Sequence, residues 1–234
     1  MFEKLAAVLK KSKKTTQDSQ TSASKTESKQ QPKTIDPKHI GDLGEFKIEV
    51  QLRQFSKENR YLNDLLIANP RSKTGYTQID HVLITPYAVF VIETKNYKGY
   101  VKGKREDRNW RVNGKFNMYN PVRQNRTHIN ALKRLLKDYE DIRFISIVSF
   151  TKRCELHIEP ELRTVDTDEF VVYDILLTEF IERKLIRLKN EYSRPPLSDA
   201  DVSHIFQLLG EKNITDSKAR EEHVQKASAV QKTN

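Results

Sequence analysis

The chain holds a single cysteine, Cys154, in 234 residues. An internal disulfide and any cysteine-rich zinc site are therefore excluded, and the thiol is expected to stay reduced beside a buried strand. Uninterrupted apolar runs fall well short of the ~18–20 residues needed to cross a bilayer. No leader with a basic start, apolar middle and small-residue cleavage site is evident, so the cytoplasm is the expected location. Glycine is scarce, at seven residues, and no phosphate-cradling glycine loop, internal repeat, zinc spacing or hydrolase serine elbow occurs. Apolar content is only 36%, which is low for a wholly packed chain and leaves part of it outside any core. Acidic residues are outnumbered, 32 to 42, for a net charge of +10 and a pI near 9.5. Such a balance favours a polyanionic partner, either nucleic acid or an acidic membrane surface.

Residues 1–38 differ in composition from the remainder. Phe2, Leu5, Ala6, Val8 and Leu9 alternate with Lys4, Lys10 and Lys11, a short amphipathic segment too small to be a stable helix alone. It suits at most a weak membrane-surface contact through residues 1–14. From Ser12 to Lys38 the chain is rich in Ser, Thr, Gln and Lys with no aromatic residue, which reads as a disordered basic linker. Residues 40–59 read as the first core helix, with Leu43, Phe46 and Val50 on one side and Ile48, Leu52 and Phe55 on another. Most of its surface is expected to be buried, leaving Glu45 and Glu49 in a narrow sector near its start. Tyr61–Ala68 reads as a strand, followed by a polar loop.

Between Ile79 and Lys95 two β-forming apolar stretches flank Thr85-Pro86-Tyr87-Ala88, a turn with proline at its favoured second position. If Pro86 and Tyr87 are the loop residues, equal steps outward set Asp80 opposite Glu93, with β-carbons about 5 Å apart. Side-chain alternation puts Lys95 on the same face. Two carboxylates so close repel by several kcal/mol in a partly dry site unless a shared proton or a cation intervenes. A hard divalent ion is the natural remedy, and Lys95 beside it can orient or deprotonate a water and stabilise an anionic transition state. The pattern reads as metal-assisted phosphodiester hydrolysis. A bare Glu-x-Lys on a strand is usually a solvated ion pair; the apolar flanks and the opposed Asp80 set this one apart.

After Lys95 the chain becomes basic, with Lys98, Lys102, Lys104, Arg105, Arg108 and Arg111 around Trp110, and an Asn113-Gly114 turn. Basic residues interleaved with an aromatic can follow a phosphate backbone and stack on a base. Asn120-Pro121 opens a helix to about residue 138. Its inward stripe is Val122, Ile129, Leu132, Leu135 and Leu136, its outer face carries Arg123, and Gln124, Asn125 and His128 fall within the inward sector, where polar groups need partners. A lone inward histidine is more often a satisfied structural residue than a ligand. Arg143–Phe150 reads as a buried strand, Leu162–Val165 and Phe170–Tyr173 as short strands, and helices are expected from Asp174 to Lys189 and from Ser198 to Leu209.

Four segments in order, Gly41-Asp42-Leu43-Gly44-Glu45-Phe46, Gln78-Ile79-Asp80-His81-Val82-Leu83-Ile84, Val91-Ile92-Glu93-Thr94-Lys95-Asn96 and Asn120-Pro121-Val122-Arg123-Gln124-Asn125, resemble the nuclease-related domain (NERD) family of the PD-(D/E)xK nuclease superfamily. The resemblance spans about residues 38 to 150. It implies an α/β, restriction-endonuclease-like mixed sheet flanked by helices, here with a C-terminal helical extension. It also implies a magnesium- or manganese-dependent nuclease acting on DNA. Asp80, Glu93 and Lys95 map onto the catalytic Asp, Glu and Lys, Glu45 onto the acid of the first helix, and Gln124 onto the polar position of the later helix; Asp80, Glu93 and Glu45 would hold metal. Ile79 stands where the superfamily name has proline. Nucleic-acid contacts are expected from Lys98, Lys102, Lys104, Arg105, Arg108, Trp110, Arg111 and Arg123. The expected organisation is the segment and linker at 1–38, the nuclease-related domain at 39–155, a strand and helix extension at 156–212, and a flexible tail at 213–234. Two rivals stand beside the nuclease: a catalytically silent nucleic-acid-binding module of the same fold, and a membrane-surface adaptor using the basic amino-terminal segment.

Overall fold

The computed structural model describes residues 37–55, 57–139 and 141–232. The amphipathic segment and nearly all of the basic linker lie outside them. Two mixed sheets and five helices make up the described chain, consistent with a restriction-endonuclease-like α/β fold flanked by helices.

The larger sheet has strand order β1 (Arg60–Ala68), β2 (Tyr76–Ile84), β3 (Val89–Lys95), β7 (Phe144–Phe150), β9 (Glu169–Tyr173). β1, β2 and β3 are antiparallel neighbours, whereas β3, β7 and β9 run parallel. Central strands buried on both faces read as continuous Val, Ile and Phe runs, and β3 and β7 are of this kind. One face is covered by α1 (Pro37–Leu52) and α3 (Leu177–Glu191), with Ile48, Leu52, Ile181 and Leu188 packed on Leu83, Phe90, Ile92 and Ile147. The other carries α2 (Pro121–Leu135) and α4 (Asp199–Lys212), with Ile129, Leu132, Val202 and Ile205 on Val82, Val89 and Val91. The α4 start is a capping box between Ser198 and Asp201, at the cap expected from the sequence.

A second sheet, ordered β6 (Phe116–Tyr119), β5 (Asn109–Val112), β4 (Gly99–Gly103), β8 (Cys154–Ile158), grows from the end of β3. Its inner face joins Val101, Trp110, Val112 and Leu156 to Val148, Phe150 and Val171 of the first sheet. Cys154 is buried at the start of β8, and burial pushes its thiol up to about 11, so it remains an unreactive hydrogen-bearing sulfur.

Four expectations are corrected. α1 ends at Leu52, not 59, and only the Gly44, Ile48 and Leu52 stripe, spaced by four residues, meets the sheet; Leu43 and Phe46 are more than half exposed. One helix face spans only part of a turn, so the second apolar stripe finds no sheet to cover it. Leu162–Val165 is not a strand: Pro160–Arg163 is a 3-10 turn. The helix expected from Asp174 begins as a 3-10 turn at Asp174–Leu176, because Asp174 turns its carboxylate to the Lys152 and Ile175 N–H groups. Finally, the segment expected as a flexible tail contains α5 (Ser217–Lys232). Asn213 and Ile214 first bind the edge of β1 at Leu66, and Arg220 then clasps Asp64 through its side chain and its carbonyl.

Lys184 is fully buried, its three protons directed at the Val165 and Thr167 carbonyls and at Asp168 Oδ1, 2.9 Å away. A buried ammonium with every proton satisfied is tolerated; deprived of its carboxylate it is not. We expect Asp168→Ala to lower urea resistance, and Lys184→Met to restore part of the loss when added to it. Equal additive losses would show that the pair is not coupled.

Candidate active site

β2 and β3 carry the acids into one patch. Their paired register runs from His81 with Ile92 to Ile84 with Val89; one further equal step sets Asp80 across from Glu93, as a Pro86-Tyr87 loop implies. The turn is locked by Thr85, whose hydroxyl donates to the Ala88 carbonyl and accepts from the Ala88 N–H. Asp80 Oδ2 accepts the Thr94 N–H at 2.7 Å. Glu93, only 3% exposed, is the hub. Its Oε1 lies 2.6 Å from Lys95 Nζ and accepts Gln124 Nε2 at 2.7 Å, while Lys95 Nζ also donates to Gln124 Oε1 at 3.1 Å. His128 Nε2 is 3.1 Å from Glu93 Oε2. An ionised carboxylate can only accept, so Nε2 carries the hydrogen, and His128 Nδ1 is left buried without a partner.

The electrostatics separate the two acids. Burial alone would raise both. At Glu93 the attraction of Lys95 and the His128 contact outweigh it and bring the pKa down to about 2. At Asp80 burial and repulsion from Glu93 and Glu45 prevail over Lys95 and the Thr94 N–H, so its pKa stands well above the ordinary carboxylate value. Lys95 is held as a cation because Glu93 and Asp80 overcome the cost of its burial. Of the two roles the sequence left open for it, orienting a water fits a protonated amine; deprotonating one does not.

Among the other expected residues, Gln124 joins the site, delivered by the first turn of α2. Asn120 caps that helix by accepting Val122 N–H at 2.9 Å. Asn125 fastens it to the sheet through the carbonyls of Val91 and Ile147. Glu45 does not join as a ready ligand. It rides on α1, on the face of the sheet opposite α2, and forms no hydrogen bond with the trio. It is linked to the site only by charge: burial, Asp64, Asp42 and Glu93 raise its pKa. Among the described residues no three His, Cys, Asp or Glu side chains converge on one point closely enough to hold an ion as they stand. Two residues near the site carry weight that the sequence did not give them. His128 lay in the inward sector of α2, but only the fold aims it at Glu93. Asp64, at a left-handed φ of 50° in the middle of β1, is flagged by nothing in its own strand pattern.

The expected nucleic-acid contacts divide. Lys98, Lys102, Lys104, Arg108 and Arg111 are exposed. Arg105 is turned inward to Glu169 at 2.8 Å, and Arg123 donates to the Glu106 carbonyl at 2.7 Å. Trp110 is corrected outright: fully buried, it stacks on Phe150 and donates its indole N–H to the Lys104 carbonyl at 2.9 Å. Alternation along β5 explains this, since Arg111 and Asn109 take the outer face and leave Trp110 to the core.

His81, next to Asp80 but on the opposite face of β2, gives the site a measurable acid sensitivity. Its Nδ1 meets Asn63 Oδ1 at 2.8 Å, its Nε2 is buried without a partner, and burial lowers its pKa from 6.5 to about 4. The unfolded chain therefore binds a proton that the native state refuses, so stability falls as pH drops from about 6.5 and the loss is complete below about 4. Between pH 7 and 5 it should amount to about 2 kcal/mol. Urea titrations at the two pH values should show a smaller loss in His81→Gln; an identical loss would assign it to other groups.

Comparison with known proteins places this geometry. The chain is 29% identical over 192 residues to an uncharacterized protein of Bacillus anthracis, covering 80% of this chain and 84% of that one. No solved structure matches. Residues 40–151, which hold Glu45, Asp80, Glu93, Lys95 and Gln124, match the family model of the nuclease-related domain.

Proposed function

We propose that the protein is a divalent-metal-dependent nuclease that hydrolyses phosphodiester bonds in DNA. The observation that carries this reading is the sunken Asp80, Glu93, Lys95 and Gln124 cluster, in which one acid is ionised against a lysine and the other is left short of positive charge. That imbalance fits a metal. Asp80 Oδ1 forms no hydrogen bond among the described residues, and carboxylate oxygens are the donors that magnesium and manganese prefer. Asp80 and Glu93 would hold the ion, with Glu45 nearby to bind its waters; when bound, it would neutralise phosphate charge and lower the pKa of a water.

This chain's own groups would supply the remaining steps. Lys95 would orient the attacking water and meet the negative charge that grows on the phosphoryl oxygens. Gln124 bridges Lys95 and Glu93, fixing the amine over the carboxylate, and His128 holds the far oxygen of Glu93 so that it cannot rotate away. The exposed Lys98, Lys102, Lys104 and Arg111 would attract the backbone, with affinity falling steeply as salt rises.

A supercoiled plasmid incubated with the full chain in magnesium, in manganese and in EDTA tests this reading. Nicking in either metal and none in EDTA is expected. DNA retention without nicking in any metal would instead identify a binding module that has the fold but no turnover.

A further inference from the structure

Beside Lys95 lies an aromatic pair that no step above uses. Tyr97 follows two residues after Lys95 and lies within electrostatic range of its amine. Its ring sits 5.9 Å from that of Phe116, tilted by 43°. Phe116 opens β6 opposite Val112, on the side of the strand that feeds Met118 and Val112 into the core. It overruns that core, however, and remains 47% exposed. A large apolar ring in water at a rigid position is a poor accident of packing, and this position is rigid. The β5–β6 hairpin turns through Asn113, Gly114 and Lys115, the first two at positive φ, which holds the tip in one tight conformation. Asn113 then bolts the tip to the segment after Lys95, donating to the Lys98 carbonyl at 2.9 Å and accepting the Tyr100 N–H at 2.8 Å. Exposed Lys98 directly follows Tyr97 in the chain, and exposed Lys115 directly precedes Phe116.

We propose that Tyr97 and Phe116 receive an unpaired nucleobase of the strand whose phosphate faces Lys95, so that the site acts on single-stranded segments in preference to intact duplex. The inference rests on the nuclease reading and narrows its substrate. An aromatic ring beside a phosphate-facing lysine can meet only backbone in a closed duplex, whose bases are stacked on each other. A splayed base offers it a free π-face, and each such stack contributes strongly and with little regard to sequence. The lysine next to each ring in the chain supplies charge of the sign that adjoining phosphates need.

The test is fluorescence anisotropy of the full chain in EDTA, with a labelled 12-nucleotide single strand, the corresponding duplex, and the single strand carrying one abasic residue at successive positions. Wild type should prefer the single strand. Phe116→Ala should weaken single-strand binding by roughly 5- to 50-fold and duplex binding by less than about 2-fold. One abasic position should reproduce that loss in wild type and add nothing in Phe116→Ala. Phe116→Trp should retain the preference, which guards against a folding defect in the alanine variant. Equal losses on both probes, or no loss on the single strand, would overturn the stacking role while leaving metal-dependent nicking intact. No binding to either probe together with no nicking in magnesium or manganese would instead bring down the nuclease reading, and this inference with it.

Discussion

Asp80→Asn should abolish metal-dependent cleavage and, in the same protein without metal, raise the melting temperature. The pairing of these outcomes follows from the charge balance of the site. The Asp80 carboxylate is half-buried near Glu93 and Glu45 and its pKa is driven well above the ordinary value, so at neutral pH its ionised form opposes folding. An asparagine keeps the oxygen that accepts the Thr94 N–H and removes the repulsion. A gain of about 1 kcal/mol would raise the melting temperature by roughly 2–4 °C in a chain of this size. Activity should fall on the order of 10³-fold, the equivalent of losing several kcal/mol of charge stabilisation. Lys95→Ala should remove activity as completely but with the opposite effect on stability. It strands Glu93, 3% exposed, without its cation, and breaking a buried pair from one side costs about 3–5 kcal/mol. Calorimetry on the two variants beside the plasmid assay gives both signs. Undiminished nicking by both proteins would indicate a contaminating nuclease, and a destabilised Asp80→Asn would mean that the carboxylate has a stabilising role.

Trp110→Ala should cost about 3–5 kcal/mol, the range for emptying a fully buried large aromatic site, and lower the melting temperature by roughly 6–20 °C. Its ring fills the space between the second sheet and Phe150, and the fit is close. A β-carbon built on Gly103 would come within 2.1 Å of Trp110 Cδ1, a distance no real contact permits, so Gly103→Ala should damage the same packing. Both variants, assayed below their melting temperatures, should bind nucleic acid as wild type does, because the exposed Lys102 and Arg111 lie on the other face of the sheet. A loss of affinity at unchanged stability would return Trp110 to the nucleic-acid surface.

Trp110 also shows where sequence reading stops. Its basic neighbours made it look like part of a binding strip, and composition alone cannot tell which face of β5 turns inward. That depended on Val148, Phe150 and Val171, which are distant in sequence and arrive to cover it. α1 failed in a similar way. Two apolar stripes were legible, yet only the one through Ile48 and Leu52 found a sheet, and Leu43 and Phe46 stayed in water. α5 was missed because its sequence is polar and its anchors are single contacts, Arg220 to Asp64 and Asn213 to the edge of β1.

The sequence by itself determined the hairpin, its loop and therefore the confrontation of Asp80 with Glu93 and Lys95, because strand alternation and a proline turn are local rules that do not depend on what packs around them. It also determined the succession of α1, β1, β2, β3, α2 and β7, the caps at Asn120 and Ser198, and the excess of positive charge. Only the tertiary structure decided that Gln124 and His128 close over Glu93, that Glu45 reaches the cluster by charge and not by a hydrogen bond, that Trp110 is core, and that Tyr97 meets Phe116. These are relations between segments up to tens of residues apart, fixed by which surfaces exclude water together, and no local pattern records them.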